Sequence, residues 1–344
     1  MSSVNASEPI TVDIAVVGAG PVGLYAAYYA GFRGFTCAVM DSLTELGGQV
    51  SALYPEKLIE DVAGLPSVRG TDLVDGLRSQ AARFDPRYVL GTTARSVVDT
   101  GDGLLVHTDT DTTVRCGAMI IAGGIGRFTP RPLPAGEDFL GRGLSYFVTD
   151  PAELAGMDVL VVGGGDSAFD WAIAARVVGA KVTLVHRRDR FRAHAASVSR
   201  AAELGVEILT HHEVVALEGT DRVAGARVMD MRTQEERALQ AQHVIAALGF
   251  TANLSDMQSW GLTFRDRHVV VDSTMSTGVK RIWAAGDLTD YPGKVRLISV
   301  GFGEAATAVN NAAVFLDPTL DIFPGHSTEN STLAGASAAA SPNL

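Results

Sequence analysis

Cysteine is scarce in this sequence. Its 344 residues include only two cysteines, Cys37 and Cys116, which lie 79 residues apart. This count and spacing exclude a CxxC redox pair, a cysteine-rich zinc site and a disulfide framework. Sparing use of cysteine fits a reducing compartment, so we expect a cytoplasmic protein. Each cysteine lies in a stretch with strand character and is interpreted as a small buried hydrophobic residue.

Positive charge and long apolar runs are also scarce. The chain has 28 Lys and Arg residues against 39 Asp and Glu residues, and its net charge of −11 argues against a general nucleic-acid-binding protein. No stretch keeps about 18 apolar residues free of charge, and the first residues lack the features of a secretion signal. We therefore expect no nucleic acid, no membrane and no resident metal ion.

Glycine, by contrast, is abundant. The 37 glycines exceed what loops need, unless several backbone segments approach a ligand closely. Two segments, residues 12–41 and 158–188, each have the pattern of a strand, a glycine turn, a helix and a second strand. The first glycines of the two turns are 145 residues apart, which indicates two similar domains rather than a short repeat.

The first turn is a GxGxxG motif formed by Gly18, Gly20 and Gly23. In such a motif the first glycine makes a tight turn, the second lets a pyrophosphate approach the backbone and the third allows close helix packing. The helix N-terminus then faces the anion. Asp41 ends the next strand, where a carboxylate can accept hydrogen bonds from ribose hydroxyls. This acid suits the ADP half of FAD or NAD.

The second turn is a GxGxxA motif at Gly163, Gly165 and Ala168. The strand that follows its helix ends in a basic stretch, residues 186–192, instead of an acid. Guanidinium groups bind a 2′-phosphate bidentately, whereas a carboxylate would repel it, so the second site should prefer NADP to NAD. Two dinucleotide sites in one chain imply a relay between a bound flavin and a transient nicotinamide.

These motifs resemble a known group of proteins. The segments GAGPVG, ELGGQVSALYPEK, GGGDSAFDWA, HRRDRFRAH, AAGD, GFGEAATAVNNA and FPGHST are similar to those of flavoprotein reductases of the thioredoxin reductase type. Within that type they look most like the bacterial ferredoxin–NADP reductases, over residues 11–328. Thioredoxin reductases carry a CxxC in the NADPH domain, but residues 127–165 contain no cysteine. Dithiol chemistry is therefore excluded.

The resemblance implies an α/β fold with two Rossmann-like dinucleotide-binding domains of the three-layer ββα type. The FAD domain is expected to be discontinuous, with residues 11–126 and 250–328 on either side of an inserted NADPH domain, residues 127–249. Residues 329–344 are small and of low complexity, and we expect a disordered tail.

The resemblance also assigns roles to individual residues. Tyr54 and His326 are expected to stack on the two faces of the flavin, with no acid–base pair. Glu329 follows FPGHST where the family commonly has a serine, so the match ends there. The expected FAD-binding residues are Gly18, Gly20, Gly23, Asp41, Gly48, Gln49, Tyr54, Ala94, Phe128, Asp287, Ser327 and Thr328. The expected NADP-binding residues are Gly163, Gly165, Asp166, Ser167, Ala168, His186, Arg187, Arg188 and Arg192.

The activity implied is reversible electron transfer between NADPH and ferredoxin or flavodoxin through FAD, in a homodimer. Ferredoxins are usually acidic, so residues 187–192 are a candidate docking edge. Two alternatives remain at this point: an NADPH-dependent flavin oxidoreductase that acts on a quinone or another small acceptor, and a nucleotide-binding redox sensor without turnover.

Overall fold

The computed structural model describes residues 8–148 and 150–328, except for the side chains of 127–129 and 250–253. The chain forms two compact units. One contains the residues up to Arg127 and from Asn253 onward, and the other contains Phe128–Ala252. These limits lie one and three residues from the expected domain boundaries. The expected tail, residues 329–344, lies outside the described residues.

The first, discontinuous unit is built on a sheet with helices around it. Its strands are β1 (Ile10–Val17), β2 (Cys37–Met40), β3 (Leu58–Ile59), β4 (Val68–Arg69), β5 (Arg87–Val89), β6 (Ala94–Asp99), β7 (Leu104–Thr108), β8 (Thr113–Ile121), β19 (Phe264–Arg265), β20 (His268–Val270), β21 (Ile282–Ala284) and β22 (Thr289–Asp290). Its helices are α1 (Pro21–Phe32), α2 (Gln49–Leu53), α3 (Gly70–Ala82), α6 (Ser255–Gln258) and α7 (Ile298–Leu316), with a 3-10 turn at Gly286–Leu288.

The main sheet of this unit has the strand order β5-β2-β1-β8-β7-β6, and β21 also pairs with β8. The pairs β5·β2, β2·β1, β1·β8 and β8·β21 are parallel, whereas β7 and β6 continue from β8 as an antiparallel meander. β1 is flanked on both sides, with Ile14 opposite Cys37 and Ala118. Its apolar side chains are buried because helices cover the sheet, as a parallel sheet requires.

The second unit repeats this plan on a smaller scale. Its strands are β9 (Arg127–Pro130), which begins at the boundary residue, β10 (Leu144–Ser145), β11 (Asp158–Val162), β12 (Lys181–His186), β13 (Glu207–Thr210), β14 (His212–Gly219), β15 (Val223–Asp230), β16 (Glu236–Gln240), β17 (His243–Ala246) and β18 (Phe250–Asn253), which pairs with β9. Its helices are α4 (Asp166–Val177) and α5 (Ala195–Glu203), with 3-10 turns at Glu137–Phe139 and Pro151–Leu154. A parallel sheet, β10-β17-β11-β12-β13, lies beside an antiparallel one, β14-β15-β16.

Both glycine turns lead into a helix, as the sequence predicts. α1 begins with Pro21, whose fixed φ suits the first helical position, and its alanines are buried against the sheet and the neighbouring helices. α4 begins directly after Gly165. The α/β prediction with two Rossmann-like units is therefore confirmed. In the part of the chain that the structure describes, no helix is long and apolar enough to span a membrane.

The packing of α1 on the sheet gives a stability prediction. A Cβ added at Gly23 would lie 1.8 Å from the carbonyl oxygen of Gly18, so Gly23→Ala should lower the midpoint of thermal unfolding by an amount equivalent to about 1–3 kcal/mol. The matched control is Gly76, a helical glycine of α3 with open space around it. Gly76→Ala should raise the midpoint slightly, by the equivalent of about 0.5–1 kcal/mol. Equal shifts of the midpoint for both variants would contradict the inference that the turn leaves no room for a side chain at Gly23.

Candidate functional site

The first glycine turn closes against the end of β8. Gly18 has φ +113°, and a Cβ there would lie 2.4 Å from the carbonyl oxygen of Ala122, so only glycine fits. Gly20 caps the N-terminus of α1 without any side-chain hydrogen bond, and a Cβ there would meet nothing closer than 4.0 Å. The backbone N–H groups at the start of α1 are thus accessible to an anion.

A second backbone segment lies beside this turn. A Cβ at Gly48 would lie 2.9 Å from the Cα of Gly20, so the two glycines bring their backbones into direct contact. Gly47 donates its N–H to the carbonyl of Ala19 at 2.8 Å. The Gln49 side chain lies over Gly124, since a Cβ there would be 2.6 Å from its Nε2. The structure therefore brings the predicted residues Gly20, Gly48 and Gln49 together.

Asp41 has a contact that the sequence does not reveal. Its Oδ2 accepts a hydrogen bond from the N–H of Ala19 at 2.6 Å, and its Oδ1 accepts one from Leu43 at 2.8 Å. Burial raises the pKa of Asp41, although these backbone N–H donors oppose the shift. Asp41 thus holds the glycine turn in shape. Each oxygen can accept a second hydrogen bond, so the predicted contact with a ribose stays a prediction.

Tyr54 and Asp287 lie in the same neighbourhood. Tyr54 follows α2 and is partly buried against the cluster around Leu24 and Val50. Burial raises the pKa of Tyr54, and the carboxylates of Asp287 and Asp61 raise it further. Asp287 lies in the turn Gly286–Leu288, which leads towards α7. Their predicted contacts with one FAD molecule stay a prediction.

Ala94 and Phe128 are placed differently. Ala94 is buried at the start of β6, two residues after Thr92, whose N–H donates to the carbonyl of Asp41. Ala94 therefore lies near the acid predicted to bind ribose. Phe128 belongs to β9, but its side chain lies outside the described residues.

The segment that leads to His326 is held at the C-terminal end of α1. The carbonyls of Asp321 and Ile322 accept hydrogen bonds from Arg33, which directly follows α1. Since α1 rises 1.5 Å per residue, Arg33 lies about 20 Å from Gly20. His326 packs on Phe323, with ring centroids 5.1 Å apart, and its predicted stacking on a flavin stays a prediction. Ser327 and Thr328 follow it there and are exposed.

The sequence analysis also misses a buried acid, Glu304 of α7. Its carboxylate accepts hydrogen bonds from the N–H of Gly286 at 2.7 Å and from the hydroxyl of Tyr291, and it forms an ion pair with Lys294. Burial, with this carboxylate beside it, raises the pKa of Tyr291 to about 12, so the phenol stays protonated as a donor. The sequence analysis quotes GFGEAATAVNNA only for its family resemblance, because nothing local marks its acid as buried.

The second glycine turn closes in the same manner. A Cβ at Gly163 would lie 2.4 Å from the carbonyl oxygen of Ala247 and 2.9 Å from the Cβ of Ala168. Ala168 therefore fills the helix-packing position of the motif. Gly165 caps α4 without a side-chain hydrogen bond, and a Cβ there would meet nothing within 4 Å. An anion can reach the first N–H groups of α4, near Ser167.

The basic stretch folds back onto this turn. The N–H of Arg192 donates to the carbonyl of Gly164 at 2.8 Å, and Asp166 accepts a hydrogen bond from the N–H of His194 at 2.9 Å. The His186 ring lies over Gly164, where a Cβ would be 2.4 Å from it. Asp166 and His186 therefore hold the loop in position, so their predicted contacts with NADP stay predictions.

Arg187, Arg188 and Arg192 are exposed beside the turn. Within the described residues, none of the three forms an ion pair. Burial lowers the pKa of His186, and the three guanidinium groups lower it further, so the imidazole is neutral near pH 7. The three arginines thus form one positive cluster at the open end of the second glycine turn.

Neither cysteine is suited to redox chemistry. Cys37 and Cys116 are both buried, and burial raises the pKa of each thiol to about 12. The thiolate is the reactive form of cysteine, and at neutral pH it is negligible for both. Among the described residues, no group of three His, Cys, Asp or Glu side chains could hold a metal ion.

Comparison with known proteins identifies the relatives of this chain. Residues 12–312 match the family model of pyridine nucleotide-disulphide oxidoreductases. A protein of Frankia alni named ferredoxin–NADP reductase is 57% identical over 92% of this chain and 99% of its own length. One of that name from Thermus thermophilus is 46% identical over 92% and 96%.

Solved structures agree. The crystal structure of T. acidophilum thioredoxin reductase is similar, with a TM-score of 0.73 and 28% identity over 89% of this chain and 98% of that one. The resemblance stated from the motifs is therefore confirmed. The chain belongs to the pyridine nucleotide-disulphide oxidoreductase family, in the thioredoxin reductase-like group that includes proteins named ferredoxin–NADP reductase.

Proposed function

We propose that this chain is a ferredoxin–NADP reductase that holds FAD in the discontinuous unit and NADPH in the inserted one. One observation carries the proposal: the chain has two glycine turns open to an anion, but both of its thiols are buried with a pKa of about 12. Electrons taken from NADPH therefore have no dithiol to enter. An external acceptor must receive them.

The residues of the first unit fit FAD. The backbones of Gly20 and Gly48 meet beside the N-terminus of α1, where the N–H groups would bind a pyrophosphate, and Asp41 would bind the ribose. Tyr54 offers an aromatic ring to one flavin face and excludes water from it. When bound, FAD can accept a hydride and release electrons singly, so the protein supplies orientation and electrostatics rather than an acid–base pair.

The residues of the second unit fit NADPH. Gly163, Gly165, Ser167 and Ala168 form the turn and helix start that would bind the pyrophosphate. Arg187, Arg188 and Arg192 would bind the 2′-phosphate. The electron partner is ferredoxin or flavodoxin in the cytoplasm, and residues 187–192 remain the candidate docking edge, since they are basic in an acidic chain.

The direct test is NADPH-dependent reduction of cytochrome c by the purified yellow protein, with and without added ferredoxin, repeated with NADH. We expect strong stimulation by ferredoxin and a preference for NADPH. Turnover that does not depend on ferredoxin would favour a quinone or another small molecule as the acceptor. A colourless protein without turnover would contradict the FAD assignment, and a yellow one without turnover would favour a redox sensor.

The arginine cluster gives a quantitative prediction. Removal of a charge-assisted hydrogen bond costs about 1.5–3 kcal/mol, so Arg187→Ala and Arg188→Ala should each raise KM for NADPH by about 10- to 150-fold. KM for NADH should stay within twofold, because NADH lacks the 2′-phosphate. The assay is ferricyanide reduction, which needs no ferredoxin. Arg190→Ala, in the same loop, is the control and should change neither value; a loss equal for both nucleotides would count against the assignment.

The homodimer is also part of the proposal. The segment that leads to His326 is held at the C-terminal end of α1, and its Ile322 and Phe323 are 52% and 59% exposed. An exposed apolar arm of this kind is suited to contact another chain. We infer that His326 stacks on the flavin of a second copy, so each complete site would combine Tyr54 of one chain with His326 of the partner subunit.

Complementation tests this arrangement. Tyr54→Ala and His326→Ala homodimers should both have altered flavin spectra and reduced turnover. In a heterodimer of the two variants, purified by two different tags, one flavin would face a wild-type Tyr54 and the partner's wild-type His326. We expect that heterodimer to regain about half of the wild-type turnover and flavin signal. If His326 acts within its own chain, the heterodimer will show only the mean of its parents.

A further inference from the structure

A buried charged cluster lies beside the turn that carries Asp287. The side chains of Lys294 and Glu304 are 3% and 4% exposed and form an ion pair. Tyr291 donates its hydroxyl to the same carboxylate at 2.5 Å. Removing two charges from water costs about as much as their attraction returns, so stability alone is a weak explanation for such a pair.

Lys294 and Glu304 bind the two backbone polar groups of Gly286. The N–H of Gly286 donates to Oε2 of Glu304 at 2.7 Å, and the carbonyl of Gly286 accepts hydrogen bonds from Nζ of Lys294 at 2.9 Å and from the hydroxyl of Thr289 at 2.8 Å. Gly286 has φ +82°, which glycine adopts without strain. Both backbone polar groups of this glycine are therefore fixed by buried side chains.

Fixing this glycine also fixes its neighbours. A trans peptide is planar, so the N–H of Asp287 points opposite to the carbonyl that Lys294 holds, away from the charged cluster. A Cβ at Gly301, in the first turn of α7, would lie 2.5 Å from the Val22 side chain and 3.5 Å from the Cα of Gly286. The Asp287 turn and the starts of α1 and α7 thus meet at Gly286.

We propose that Lys294 and Glu304 are positioning residues for FAD, which preorganise the Asp287 backbone and the first turn of α7 before the cofactor binds. The inference rests on the proposed assignment of FAD to this unit. Preorganisation of this kind lowers the ordering cost of binding, so its loss weakens affinity even where the fold survives.

The test is the Kd of the apo-protein for FAD, from quenching of flavin fluorescence. Lys294→Met should raise this Kd at least tenfold, while the Kd for NADP+ stays within twofold of wild type. Lys294→Met also leaves Glu304 buried without its cation, so the thermal midpoint of the apo-protein should fall. Arg265→Met is the matched control, because Arg265 forms an exposed ion pair with Asp290 beside the same turn. Its Kd for FAD should be unchanged.

The double variant Lys294→Met/Glu304→Gln separates positioning from stability. It leaves no unpaired buried charge, so its apo-protein midpoint should recover most of the loss seen in Lys294→Met. Its Kd for FAD should stay raised, since the carbonyl of Gly286 still lacks the lysine. Recovery of wild-type FAD affinity together with stability would overturn the inference, as would normal FAD binding by Lys294→Met. A wild-type chain that binds no FAD would overturn the proposed function as well.

Discussion

Both units depend on one constraint: a strand must pass into a helix so closely that the turn leaves no room for a side chain. A Cβ at Gly18 or at Gly163 would lie 2.4 Å from a carbonyl oxygen at the end of a neighbouring strand, Ala122 in one unit and Ala247 in the other. This approach places a helix N-terminus, with its unpaired N–H groups, at the carboxyl edge of a parallel sheet. The predicted dinucleotide sites lie there because the sheet, the helix and the turn all meet at that edge.

The sequence predicts those features of the fold that depend on residues close together in the chain. Glycine spacing, buried β-branched strands and alanine-rich helices predicted both turns and the α/β architecture, since each depends on residues close together in the chain. It did not reveal what the side chains at these turns contact. Asp41 holds the N–H of Ala19, and His186 lies over Gly164, because the fold brings them back to the turn from 22 residues away. Glu304 of α7 shows the same limit, because its contacts come from the turn at Gly286 and from the segment with Tyr291 and Lys294.

His326 shows a different limit. Its motif predicts a contact with flavin, but a motif does not say which chain's flavin His326 would contact. Its position is set by Arg33, which binds carbonyls 288 and 289 residues later in the sequence. Contacts of that sequence separation decide the direction in which a terminal segment leaves the fold, and no local pattern encodes them. The proposed sharing of a site between two chains therefore rests on the exposed segment around Ile322 and Phe323, which the motif alone does not reveal.

Two hydrogen-bond networks of the first unit, one around Asp41 and one around Glu304, have the same effect on the backbone. Asp41 accepts hydrogen bonds from the backbone at one glycine turn, and Glu304 with Lys294 holds the backbone at another. In each case a charged side chain from elsewhere in the sequence fixes the backbone of a glycine-containing turn. Glycine makes the close approach of a cofactor possible but leaves the turn free to move. In the described part of this unit, the buried pair of Lys294 and Glu304 restricts the backbone of Gly286 through hydrogen bonds to both of its polar groups.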